Sequence, residues 1–129
     1  MVASNYGVDT ELYCAELSFD VLFANRRELP VYRPLPKFPS VSRDIAVVCA
    51  KDIPVGDLVS CIMKNGGSFL KGCSVFDVYT GHHIADGLKS VAFSLTMRAD
   101  DRTMTDVDAD STVKSVLSAL KASYNAVMR

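Results

Sequence analysis

Apolar and polar positions alternate most cleanly over Ser90–Met97, where Val91, Phe93, Leu95 and Met97 interleave with Ala92, Ser94 and Thr96. A period of two predicts a strand with one apolar face and one face of small, mostly polar groups. Asp44–Ala50 is rich in β-branched residues and apolar on both faces, as a central strand would be. Phe69–Thr80 reads as a further extended segment, followed by a polar loop between Gly81 and Gly87. Helical spacing appears twice. Pro54 suits a first turn, Val55, Leu58, Val59 and Ile62 follow on one face, and Asn65-Gly66-Gly67 ends the run. Thr105 and Asp108 resemble a capping box with Asp in place of Glu. Ala109, Val113, Val116, Leu117, Leu120 and Tyr124 then mark one apolar helix face. Ala126–Arg129 predicts a short last strand.

The order from residue 40 is strand, helix, strand, strand, helix, strand. It predicts an α+β, ferredoxin-like split βαβ sandwich, an antiparallel four-stranded sheet with two helices on one face. The opposite face would carry Ala92, Ser94, Thr96 and alternate residues of Asp44–Ala50. Upstream, Glu11–Leu17 reads as a strand, followed by Phe19, Val21, Leu22 and Phe23. So many large apolar groups in so short an extended segment need a partner surface. Four of the five prolines fall in Pro30–Pro39, which predicts an extended linker because proline fixes φ and lacks an N–H. The organisation expected is therefore a segment over 1–30, a linker over 31–39 and a domain over 40–129.

Composition narrows the class. The 129 residues, 49% hydrophobic, are long enough for one real core and too apolar for global disorder. The formal charge of −1 excludes a globally basic nucleic-acid binder while leaving room for a local basic patch. No apolar run approaches the ~20 residues of a membrane span, and the N-terminus lacks a secretory layout, so a cytoplasmic protein is expected. Cys14, Cys49, Cys61 and Cys73 form no CxxC pattern and read as reduced thiols without metal. His82 and His83 are adjacent, so on an extended segment they point apart and would not chelate one ion.

Four motifs in order resemble a known family. Phe38-Pro39-Ser40-Val41-Ser42-Arg43-Asp44-Ile45-Ala46 is similar to F-P-x-x-x-R-D-I/L-A, and Phe76-Asp77-Val78-Tyr79-Thr80-Gly81 to F-D-x-Y-x-G. Lys89-Ser90-Val91-Ala92 matches K-S-x-A, and Arg102-Thr103-Met104-Thr105-Asp106 matches R-T-L-T-D with Met104 for Leu. These resemble the ferredoxin-fold anticodon-binding domain that closes the β subunit of bacterial phenylalanyl-tRNA synthetase. Residues 12–22 look like the closing strand of the module before it, so the chain resembles a piece of a larger subunit. The resemblance implies an α2β2 enzyme that charges tRNA(Phe) with phenylalanine using ATP and Mg²⁺, its active site in the α subunit. This chain would then hold no cofactor and catalyse nothing alone; P-loop, GxSxG and HExxH patterns are absent from it.

RNA binding needs cations for phosphates and flat groups for bases. Residues 26–43 hold Arg26, Arg27, Arg33, Lys37 and Arg43 against Glu28 alone, whereas residues 100–110 hold five aspartates against Arg102. The candidate RNA-binding residues are Arg33, Lys37, Arg43, Tyr79, Lys89 and Arg98. Each has a structural alternative: Arg43 pairing with Asp77, Tyr79 packing at a strand end, the remaining cations simply solvated. Phe38 is expected as a core plug. A near-neutral charge predicts weak tRNA binding by this chain alone. A regulatory small-molecule domain is the first competing class, though Ala50–Pro54 lacks the glycine its ligand loop would need. The second is a docking module that self-associates through Leu12–Phe23.

Overall fold

The computed structural model describes residues 3–26, 32 and 34–129. The chain divides into two units, residues 1–34 and 35–129. In the first, a 3₁₀ turn spans Ala3–Tyr6 and a short helix, α1, spans Phe19–Ala24. Ser18 caps α1 by accepting from the Val21 N–H at 3.5 Å. Residues 11–18 form no regular element, so the strand expected over Glu11–Leu17 is absent. A strand exists through its ladder, and no second strand occurs among the described residues of this unit. Leu17, Phe19, Val21 and Phe23 stay mostly exposed. Phe19 and Phe23 stack one turn apart, and Arg26 lies 3.8 Å over the Phe23 ring.

The second unit follows the expected order: β1 Val41–Ala50, α2 Val55–Asn65, β2 Leu70–Tyr79, β3 Leu88–Met97, α3 Asp106–Tyr124 and β4 Val127–Met128. The sheet runs β2-β3-β1-β4, antiparallel throughout. Pro54 is the cap residue before α2 rather than part of its first turn. The helix ends at Gly66, and Gly67 takes a left-handed φ of 68° that a side chain would oppose. The capping box forms at α3: Thr105 accepts from the Asp108 N–H, and the Asp108 carboxylate accepts from the Thr105 N–H at 3.1 Å.

The core lies between the helices and one sheet face. Val47, Val91, Phe93, Leu95 and Met97 from the strands meet Leu58, Ile62, Val116 and Leu120 from the helices, all fully buried. The buried stripe of α3 runs through Ala109, Thr112, Val116 and Leu120. Val113 and Leu117, expected on that stripe, are only half-buried. Thr112 takes the inner place because its hydroxyl donates to the Asp108 carbonyl at 3.0 Å. Cys49 and Cys61 are buried free thiols, and burial pushes the Cys49 thiol up. Phe38 is half-buried but stands outside the core, contrary to the plug expected from the sequence.

Candidate nucleic-acid interface

Strand alternation sorts the motif residues between two faces. Arg43 lies opposite Leu95, on the helix side, and Asp77 lies opposite Ala92, on the open side. The Arg43–Asp77 pair expected from the sequence therefore cannot form. Arg43 instead donates to the Asp106 carboxylate at 2.6 Å, tying the start of β1 to the first turn of α3. Two motifs distant in sequence meet in that bond. Arg102 reinforces the same helix start by donating to Asp108 at 3.1 Å.

Lys89 shares the parity of Val91 and turns inward. It is 8% exposed, and its ammonium donates to the carbonyl of Lys51 at 3.0 Å and to that of Ile53. Lys89 thus fastens the turn between β1 and α2 and presents no exposed ammonium to a ligand. Lys37 is exposed at the bend before β1. Arg33 lies outside the described residues.

The open face is built from small groups. Ser42, Asp44, Ala46 and Val48 of β1 pair with Thr96, Ser94, Ala92 and Ser90 of β3, and Gly72, Ser74, Asp77 and Tyr79 of β2 complete it. Hydroxyls meet across it, Ser42 Oγ lying 3.0 Å from Ser94 Oγ. Tyr79 is half-buried at one end. Its ring folds against Gly81, where a β-carbon would come within 2.1 Å of the phenolic oxygen, so the glycine of the F-D-x-Y-x-G motif makes room for the tyrosine. Arg129 sits on the same face from the far edge: its N–H donates to the Ala46 carbonyl, and its guanidinium lies 5.8 Å from the Tyr79 ring centroid. That contact is a cation–π pair drawn over small residues.

Asp44 and Asp77 are exposed on this face and make no ion pair with a described residue. Beside Tyr79 the β2–β3 loop borders an open cavity of about 410 Å³ lined by Lys51, Thr80, His82, Ile84, Asp86 and Leu88. At the other end of the sheet Lys71 donates to Asp100 at 2.7 Å, which holds the Asp100 carboxyl below the usual range. Arg98 stands 3.9 Å from the same carboxylate. Sequence reasoning missed Arg129 and the open-face role of Asp77; the i, i+2 spacing of Asp77 and Tyr79 was the signal for the latter.

A four-stranded antiparallel sheet built from two split βαβ halves is the ferredoxin-like α+β arrangement. The family model for the ferredoxin-fold anticodon binding domain matches residues 36–129, and the chain belongs to that family. It is 44% identical to the phenylalanine–tRNA ligase beta subunit of Bacillus subtilis over 119 residues, covering 92% of this chain and 15% of that protein. With the beta subunit of Clostridium tetani it shares 39% over 128 residues, 99% of this chain and 16% of the relative. The chain thus spans about one-sixth of the curated relatives it matches. Among the described residues no helix is long and apolar enough to cross a membrane.

Proposed function

We propose that this chain is the anticodon-region recognition module of a phenylalanine–tRNA ligase β subunit and that the open sheet face is its RNA surface. The observation that carries the reading is the Tyr79–Arg129 pair on an uncovered face of small polar groups. A tyrosine ring offers a base a stacking platform, and an adjacent guanidinium serves either the base plane or a phosphate. Asp77, two residues away on the same face, repels phosphate. Its use on such a surface is to accept from base N–H groups, which makes it a reader of base identity.

The parent enzyme would charge tRNA(Phe) with phenylalanine, as an α2β2 assembly in the cytoplasm, using ATP and Mg²⁺. Among the described residues no three His, Cys, Asp or Glu side chains converge to hold an ion. The reading places that chemistry in the rest of the enzyme, and no catalytic residue is assigned here. Of the earlier candidates, Tyr79 and Arg98 stay in the proposal. Lys37, exposed before β1, stays with them; Arg33 lies outside the described residues, Arg43 is paired with Asp106, and Lys89 is engaged inside the fold. Segment 1–30 would belong to the preceding module, joined by the linker over 31–39. The exposed Leu17, Phe19, Val21 and Phe23 favour one additional reading, self-association of the isolated chain through that segment.

The test is an anisotropy titration of the chain with tRNA(Phe), a non-cognate tRNA and tRNA(Phe) with altered anticodon bases, at two salt concentrations. Weak, salt-sensitive binding that falls further when the anticodon changes is expected, and Tyr79→Ala should weaken cognate binding about tenfold to a hundredfold. Equal binding of all three RNAs by the wild-type chain would transfer recognition to another part of the enzyme. A dissociation constant in the nanomolar range at ~150 mM salt would show the charge argument for weak binding to be wrong.

A further inference from the structure

The end of the open face away from Tyr79 carries an arrangement that the fold does not require. Arg98 continues the open-side alternation of Ser94 and Thr96 past the end of β3, its N–H donating to the Phe69 carbonyl. Eight residues along β3 separate it from Ser90, the partner of Tyr79, which is about 26 Å of strand. Lys71 reaches the same place because β2 is irregular between Leu70 and Gly72, where one extra residue is set against β3. Both cations converge on one carboxylate, that of Asp100. Lys71 holds it at 2.7 Å, and Arg98 is left at 3.9 Å with its Nε buried and without a hydrogen-bond partner. A buried guanidinium donor left unpaired is costly and uncommon. The side chains of Lys71 and Arg98 are 30% and 27% exposed, so the pair can be reached from solvent, while Asp100 is 72% exposed and free to swing aside.

We infer that Lys71 and Arg98 form a phosphate clamp for the ribose–phosphate backbone of the bound RNA, with Asp100 as the internal anion that occupies it in the free protein. The inference rests on the reading of the open face as the RNA surface and adds the contact that sets backbone position at its far end. One carboxylate shared by two cations leaves a local charge of +1, and a phosphodiester supplies the acceptor oxygens that Arg98 lacks. Phosphate contacts carry no base identity, so this end should contribute affinity and salt dependence, and the Tyr79 end discrimination. Asp100 also adds to the weak binding expected of the isolated chain, since RNA must displace it.

The test measures tRNA(Phe) affinity of the chain across a salt series. Arg98→Gln and Lys71→Gln should each reduce the log–log salt slope by roughly 0.7, the value for one single-strand phosphate contact, and leave the ratio of cognate to anticodon-altered binding unchanged. Asp100→Asn should tighten binding about threefold or more, whereas Asp110→Asn, the same charge change on helix α3, should not. Unchanged slopes in both glutamine variants, or equal effects of the two asparagine variants, would overturn the clamp while leaving RNA recognition at Tyr79 intact. Failure of the wild-type chain to bind any tRNA would overturn both. Inorganic phosphate alone, followed by the Arg98 Nε–H resonance, separates the two phosphate sources: saturation well below millimolar would make this a free-phosphate site instead. Melting curves identify any variant that fails to fold, and the more exposed Lys71→Gln keeps the test decisive if Arg98→Gln does.

Discussion

On the helix side of the sheet, Arg43 and Lys89 have their charges taken up by the protein itself, Arg43 by the exposed Asp106 carboxylate and Lys89 by the carbonyls of Lys51 and Ile53. On the open side, Asp77 makes no ion pair with a described residue, and Tyr79 meets Arg129 across the face. Lys89 and Ser90 are neighbours in one motif and face opposite ways. A motif residue in such a sheet is therefore turned to the core or to the open face according to its parity along the strand, not its chemistry. Lysine looks like an RNA ligand and holds a turn. Aspartate looks like a poor one and stands on the exposed face.

The largest expected break in that comparison is in the core. Phe93→Ala removes a fully buried ring from the centre of β3 and should cost about 3–5 kcal/mol. Ser94→Ala, one residue along on the open face, loses one exposed hydroxyl contact and should stay within about 0.5–1 kcal/mol. Urea midpoints of the two variants measure the difference, and similar losses would mean that the open face is as structural as the covered one. Next in size is Lys89→Met, which keeps the stem and deletes the ammonium. Two carbonyls lose their donor, and a loss of about 1–3 kcal/mol follows, with tRNA affinity unchanged once the variant is folded. Unaltered stability with weakened tRNA binding would return Lys89 to the list of contacts.

Much of the fold was legible because its signals are local. Alternation in Ser90–Met97, helix spacing after Pro54 and the Thr105 box each act within a few residues, and all appear as elements. The errors occur where face parity or a missing partner decides. Asp44–Ala50 is apolar on both faces, so nothing in it marks the side on which Arg43 falls. Lys89 had its parity printed one residue before the alternating run, but starting that strand at Ser90 hid it. Glu11–Leu17 has strand composition without a ladder to join. The proposed surface was half legible: Tyr79 could be named from its motif, whereas Arg129 depends on the two-residue pairing of β4 with β1, which leaves little pattern to read.

The smallest expected effect, and the finest test of the comparison, is in acid. Asp108 accepts from the Thr105 N–H and hydroxyl, with Arg102 adding its charge, and together they hold its carboxyl below the usual range. Its folded pKa is depressed, so the stability it adds is fully present above the unfolded value of about 3.9 and is lost as pH falls through the folded value. Asp100 on the open side is lowered first by its bond from Lys71, and its exposure leaves that interaction open to screening by salt. Asp108→Asn should therefore be less stable than the wild-type chain near pH 6, the gap closing as pH drops from about 4 and persisting at high salt. Asp100→Asn should show a smaller gap that salt removes. Urea midpoints at pH 6, 4 and 2.5, each at low and high salt, measure both. If the Asp108 gap widened in acid, the cap would not be working as a carboxylate; if the Asp100 gap survived salt, that carboxylate would be a fixed part of the fold rather than an anion that RNA can displace.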